Sequence, residues 1–122
     1  MTSNPRLLAT ALTDRGYAFY SQKQYAEAQR SFEAALHEFP EESAAMIGMG
    51  LVTERSGRPD VASAFFTRAV ELQPSDQGYL LLAQALEGAG QKEAAQTARE
   101  RAAQISRNLN QAEESVRKLL AD

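Results

Sequence analysis

The chain has 122 residues, of which 43% are hydrophobic and 24% are charged, and its formal net charge is -3. This composition is typical of one globular domain, and it excludes a disordered or fibrous chain. The charges are mixed along the sequence without the basic stripe that phosphate backbones require, so we expect no nucleic-acid partner. There is no cysteine, which excludes disulfides and thiolate metal sites.

The N-terminal residues lack a convincing apolar core of an export signal, and no apolar run approaches the length of a membrane span. We therefore expect no membrane insertion and a cytoplasmic location, unless the residues belong to a larger protein. The whole of 1–122 is predicted to form a single domain.

Helix-capping and helix-breaking residues predict six helices in chain order. The first helix begins at the pair Asn4-Pro5, because Asn caps free backbone N–H groups and Pro suits the first helical turn. Gly88-Ala89-Gly90 is predicted to be a turn, and no segment alternates with the period of a strand. The class is therefore all-α, with these predicted helices: about 4–21, 25–37, 44–55, 59–72, 76–87 and one from about 91.

An internal repeat relates these helices in pairs. An offset of 34 residues superimposes the pairs Gly16 and Gly50, Ala28 and Ala62, Phe32 and Phe66, Ala35 and Ala69, Pro40 and Pro74. A third copy follows after an offset of 33, and there Phe66 corresponds to Arg99 and Pro74 to Arg107. Such a period indicates stacked copies of one unit, and the atypical last copy indicates the end of the stack.

The spacing of these residues resembles the tetratricopeptide repeat (TPR) over about residues 9–109. The first copy matches nearly every signature position, and only Lys23 departs, where the family usually has Gly. The resemblance implies a right-handed α-solenoid with a concave groove, lined by the first helix of each unit, in which partners usually bind. The units would span about 9–42, 43–75 and 76–109, followed by a capping helix at about 110–121.

The same register assigns nine residues to the groove: Thr13, Tyr17, Tyr20, Ile47, Leu51, Glu54, Leu80, Gln84 and Glu87. Tyr17 and Tyr20 lie three apart on one helix face and offer large, rigid contact areas, which are favoured at binding hot spots. Packing against the N-terminal segment or a neighbouring helix is the alternative for this pair.

Two subsets of the TPR family differ in how far this chain resembles them. One holds the carboxylate ends of heat-shock chaperone tails with Lys, Asn and Arg side chains, but the corresponding positions here contain no cation or Asn: Thr13, Tyr17, Gly48, Gln77 and Leu81. This disfavours a chaperone-tail partner and favours an apolar or tyrosine-dependent contact. Three units plus a terminal helix also resemble the secretion chaperones of bacterial export systems.

The C-terminal part carries an apolar stripe at helical spacing that needs a cover: Ala98, Ala102, Ile105, Leu109, Ala112, Val116, Leu119 and Leu120. The tail either packs on the last unit as a solvating helix or forms a second interface through Leu109, Val116, Leu119 and Leu120, for self-association or another subunit. Weak helix formers at 106–110 leave both a helix break and one long helix open.

Little in the sequence supports catalysis. His37 is the only histidine, and near a helix end with Glu33 one turn earlier it is typical of a surface pair. We therefore expect no enzyme, no cofactor and no metal. The first hypothesis is a protein-interaction module, an adaptor, scaffold or assembly subunit; a chaperone for an export or assembly substrate and a structural subunit or fragment of a larger repeat protein are the alternatives.

Overall fold

A computed structural model describes residues 4–121, which form helices joined by short turns. The helices in that range are α1 Pro5–Ser21, α2 Tyr25–Glu38, α3 Ser43–Arg55, α4 Pro59–Leu72, α5 Asp76–Gly88, α6 Lys92–Ile105 and α7 Leu109–Leu120. Within the described residues there is no strand. Successive helices pack as the pairs α1–α2, α3–α4 and α5–α6, and each pair packs on the next. The predicted all-α solenoid of helix-turn-helix units is confirmed.

The predicted helix ends are confirmed to within one or two residues, and the turn after α5 is the informative difference. Gly88 was assigned to that turn, but it is the last residue of α5. The chain reverses at Gly90 instead, whose φ of 82° lies in the left-handed region. The N–H of the following Gln91 donates to the carbonyl of Leu86 at 2.8 Å, which closes the helix end as such a residue usually does.

The core of the first unit is the ring of Phe32, which is fully buried. A Cβ placed on Gly16 would lie 2.5 Å from this ring, and one placed on Gly48 would lie 2.4 Å from it. The ring therefore fits only because α1 and α3 both present a bare backbone to it. Phe66 contacts Gly50 in the same way. The repeat pattern predicted the contacts of Gly16 and Gly50, whereas the role of Gly48 was not foreseen.

The C-terminal stripe is interrupted between α6 and α7. The Ser106 hydroxyl donates to the Asp76 carboxylate at 2.6 Å, and the Asn108 side chain accepts from the N–H of Gln111 as the cap of α7. These contacts end one helix and start another, so the break is the correct alternative. As a result Ile105 is 43% exposed, and its assignment to a continuous apolar stripe was wrong.

The first prediction concerns the buried ring. Phe32→Ala should lower the free energy of unfolding by about 3–5 kcal/mol, because it removes a fully buried ring and leaves a cavity between rigid backbones. Phe65→Ala, at a half-buried position on α4, is the matched control and should lose clearly less. Chemical denaturation of both variants measures the difference, and equal losses would contradict the packing described.

The second prediction concerns Lys23, which has a φ of 61° in the turn between α1 and α2. Glycine stands at the equivalent positions of the next two turns, where Gly57 and Gly90 have similar φ values. A Cβ in the left-handed region is disfavoured, so Lys23→Gly should raise the free energy of unfolding by about 0.5–1 kcal/mol. Lys23→Ala keeps the Cβ and should bring no such gain; a gain of equal size in both variants would point to the lysine side chain instead.

Candidate partner-binding groove

The first helices of the three units, α1, α3 and α5, carry the predicted groove positions. Their burial differs widely. Thr13 is only 3% exposed, and its hydroxyl donates to the Ala9 carbonyl at 2.7 Å. Leu51 is completely buried. These two side chains support the floor of the groove and are not presented to a partner, whereas Gln84 and Glu87 are exposed at its α5 edge.

Tyr17 lies half-buried on the groove side of α1. Its hydroxyl donates to the Ala44 carbonyl at 2.7 Å, which ties α1 to the first turn of α3. Its ring meets the Phe32 ring edge-on, with centroids 4.9 Å apart. Burial raises the pKa of this phenol well above its ordinary value, and Tyr20 and Glu42 add to that rise. Tyr17 is thus a rigid, neutral side chain held between α1, the Phe32 ring and the start of α3.

Tyr20 is directed at the C-terminal helix. It is only 7% exposed, and its hydroxyl donates to the Leu119 carbonyl at 2.6 Å while accepting from Arg55 Nε at 3.2 Å. Burial raises the pKa of this phenol, and the hydrogen bond and charge of Arg55 partly offset the rise. Of the alternatives for the tyrosine pair, packing on another helix is the one that the structure gives for Tyr20.

Ile47 and Leu80 occupy equivalent places on α3 and α5, and both are half-buried. Each packs against the core with part of its side chain and leaves the rest accessible. Ala44, one helical turn before Ile47, is exposed beside the hydroxyl of Tyr17. Ala44, Ile47 and Leu80 thus contribute accessible apolar surface beside the phenol of Tyr17.

The C-terminal helix α7 packs on α5 and reaches toward α1 and α3 with its last turn. Val116 is 8% exposed and lines one shallow cleft with Leu80 and Gln84. Leu119 and Leu120 pack partly against the core, and Leu109 at the start of the helix is half-buried. The predicted second-interface residues thus contact their own chain and cover one part of the groove.

Arg55 is the residue at this site that sequence reasoning missed. Its guanidinium donates to the carbonyls of Leu119 and Ala121 and lies 5.9 Å from the ring centroids of both Tyr20 and Tyr25. The sequence showed Arg55 only as the end of a helix. Nothing in the sequence near Arg55 indicates that the end of α7, more than 50 residues later, places its last carbonyls beside this guanidinium.

Glu54, the neighbour of Arg55, is half-buried in the groove. Its Oε2 atom is shielded from solvent and has no hydrogen-bond partner among the described residues. Desolvation raises the pKa of this carboxyl above its ordinary value. The ionised form keeps one shielded oxygen without a hydrogen bond, and this partial desolvation is unfavourable for the charge.

Across residues 4–121 no three His, Cys, Asp or Glu side chains come together as metal ligands would. None of the helices in this range combines the length and apolar character needed to cross a membrane.

The family profile described as tetratricopeptide repeat matches residues 13–77, which is more than half of the chain. The chain belongs to the tetratricopeptide repeat family. No curated protein matches the sequence.

Several solved structures share the fold of this TPR domain. The first TPR domain of Spaghetti (RPAP3), bound to the HSP90 peptide SRMEEVD, has a TM-score of 0.81 at 22% identity, with 93% of this chain and 91% of that chain covered. The Yersinia enterocolitica type III secretion chaperone SycD, in complex with a peptide of the translocator YopD, has a TM-score of 0.80 at 18% identity, with coverage of 97% and 92%.

A third likeness concerns only a part of a larger protein. The Thermobaculum terrenum O-GlcNAc transferase has a TM-score of 0.84 at 22% identity, and 98% of the TPR domain is covered but only 23% of the transferase chain. At these identities the three likenesses show a shared fold.

The third prediction tests the unpaired carboxylate of Glu54. Since folding raises its pKa, the folded TPR domain holds this proton more tightly than the unfolded chain, and stability is lost as pH rises through the raised pKa. Glu54→Gln removes the charge but keeps the shape. The variant should therefore melt higher than the unmodified domain at about pH 7, whereas the two should converge below the ordinary glutamate pKa, at about pH 3.5.

Glu93→Gln, at an exposed position on α6, controls for the loss of one negative charge. Thermal melting of both variants at the two pH values gives the comparison. A difference for Glu54→Gln that is independent of pH, or a lower melting temperature at neutral pH, would contradict the desolvated carboxylate.

Proposed function

We propose that this TPR domain is a non-enzymatic protein-interaction module, an adaptor, scaffold or assembly subunit that binds a protein segment in its concave groove. The observation that carries the proposal is the accessible apolar surface formed by Tyr17, Ile47 and Leu80 on three parallel first helices. Aromatic and aliphatic side chains held rigidly beside a polar rim are the composition of binding hot spots. The peptide-bound Spaghetti and SycD domains support a peptide as the ligand class.

The chemistry of the groove favours an apolar segment over an acidic tail. The positions that would clamp a carboxylate hold Thr13, Tyr17, Gly48, Gln77 and Leu81, and of these Thr13, Gly48 and Leu81 are buried. No cation is among them, so a terminal carboxylate would meet no charged donor at these positions. A partner segment with aliphatic or aromatic side chains matches the surface better than the acidic HSP90 peptide held by the Spaghetti domain.

A chaperone for an export or assembly substrate is the second candidate. The likeness to SycD favours it, because nearly the whole of both chains is covered and that protein is a secretion chaperone bound to a translocator peptide. The two candidates differ in the state of the partner. An adaptor binds a partner that is already folded, whereas a chaperone binds its client before folding and keeps it soluble. The captured partner can be added to the TPR domain either folded or freshly diluted from denaturant. Binding of the folded form supports an adaptor, whereas binding of only the diluted form, which then stays soluble, supports a chaperone.

The fourth prediction tests the groove with a matched pair of variants. Ile47→Arg places a charge on the groove side of α3, and Val61→Arg changes another half-buried aliphatic residue, on α4. In affinity capture from cells of the source organism, Ile47→Arg should reduce the recovered amount of the specific partner by at least about tenfold. The reason is that a desolvated cation at the centre of an apolar contact is unfavourable. Val61→Arg should retain the partner.

Both variants must melt within a few degrees of the unmodified domain for the comparison to count. If Ile47→Arg keeps its partner while Val61→Arg loses it, the binding surface lies on the second helices and the groove proposal is wrong. Retention of every partner by both variants would equally contradict binding at Ile47.

A further inference from the structure

We propose that α7 occupies the groove in place of a partner, and that the partner contributes a short amphipathic helix that enters where α7 lies. The inference rests on the proposed groove function and adds the shape of the ligand and the condition for its binding. The surface concerned is formed by Tyr20, Arg55 and Leu80 with their neighbours. In the free domain this surface is covered by α7, which must move away first.

The contacts at the end of α7 do not depend on its side chains. The Tyr20 hydroxyl and the Arg55 guanidinium donate to the main-chain carbonyls of Leu119 and Ala121. The last carbonyls of a helix have no partner within the helix, and they carry the negative end of its dipole. A phenol and a guanidinium are thus placed to receive the C-terminal end of a helix of any sequence. Contacts to main-chain carbonyls that any helix can provide allow a helix from another protein to bind in the same place.

The side of α7 that faces the domain is narrow and made of small or aliphatic residues. Ala112 and Val116 are its buried side chains, with Leu119 and Leu120 partly covered. These positions follow helical spacing and form a single stripe. The opposite side carries the exposed pair Glu114 and Arg117. A partner helix with the same pattern of Ala, Val and Leu over about three turns therefore fits the same surface.

The attachment of α7 differs from that between α1 and α3. Those two helices are joined by the ring of Phe32, which fits against the bare backbone of both Gly16 and Gly48. In α7 the buried side chains are only an alanine and a valine. α3 and α5 each bury several larger side chains, among them Leu51 and Leu81. Because less apolar area holds α7, it should open at a lower free energy than α3 and α5. The short connection Ser106–Asn108 keeps the opened helix nearby.

The first experiment uses the full chain with one change in α7. Val116→Glu places a charge on the buried side of α7. It should release this helix, while the groove itself keeps its native residues. The probe is a labelled synthetic peptide with the sequence of residues 107–122, acetylated and amidated. A tethered helix competes at a millimolar effective concentration, so the peptide should bind the Val116→Glu chain at least about tenfold more tightly than the unmodified chain.

Two controls make the comparison specific. Asn110→Glu adds the same charge at an exposed position of α7 and should behave as the unmodified chain does. Adding Arg55→Gln to the Val116→Glu chain should weaken peptide binding by about tenfold, because it removes a charged donor to the helix end. Fluorescence anisotropy measures all four chains. Equal binding to the unmodified and Val116→Glu chains, or binding to neither, would overturn the proposal.

Amide hydrogen exchange on the unmodified chain decides the matter even if Val116→Glu does not fold. Amides of α7 should exchange at least about tenfold faster than those of α3 and α5, because α7 opens locally while the repeats stay folded. Exchange of α7 only through global unfolding would refute displacement. Loss of partner capture in Ile47→Arg together with such uniform exchange would leave the groove function intact and reject only the role of α7.

Discussion

The ring of Phe32 fits between the bare backbones of Gly16 on α1 and Gly48 on α3, and the width of the groove depends on this contact. The ring approaches both helices more closely than any side chain would permit. It therefore brings the two first helices side by side. Tyr17 packs edge-on against the same ring and bonds to the Ala44 carbonyl, so the phenol that faces the groove is positioned by the core contact beneath it.

The same contact changes from unit to unit. In the second unit Phe66 takes the place of Phe32 and meets Gly50. In the third unit this position holds Arg99, which reaches out to Glu87 at the surface. A charged side chain cannot fill a dry space between two backbones. The third unit lacks the ring, and α7 packs on α5 with the small aliphatic side chains of Ala112 and Val116.

The fold was predictable because the residues that decide it recur in the sequence. Phe32 and Gly16 each recur 34 residues later, as Phe66 and Gly50, and this repeat indicates the paired helices and their close approach. Gly57 and Gly90, which have positive φ values, mark the turns. The groove was only partly predictable. Thr13 and Leu51 were assigned to it from the register but lie buried, and Arg55 was missed. The surroundings of Arg55 depend on α7, which packs by long-range contacts that no repeat encodes.

The contacts that hold the repeats together therefore differ from the contacts that hold α7 in the groove. Side-chain packing holds α1 to α6 together, whereas α7 combines a small apolar contact through Ala112 and Val116 with main-chain carbonyls that meet Tyr20 and Arg55. Contacts to main-chain atoms are the same for every helix, so they stabilise α7 without selecting its sequence. The selective part of the surface is the apolar strip of Tyr17, Ile47 and Leu80. A partner helix that fits beside Leu80 better than Val116 does has the advantage, provided it overcomes the higher effective concentration of the tethered α7.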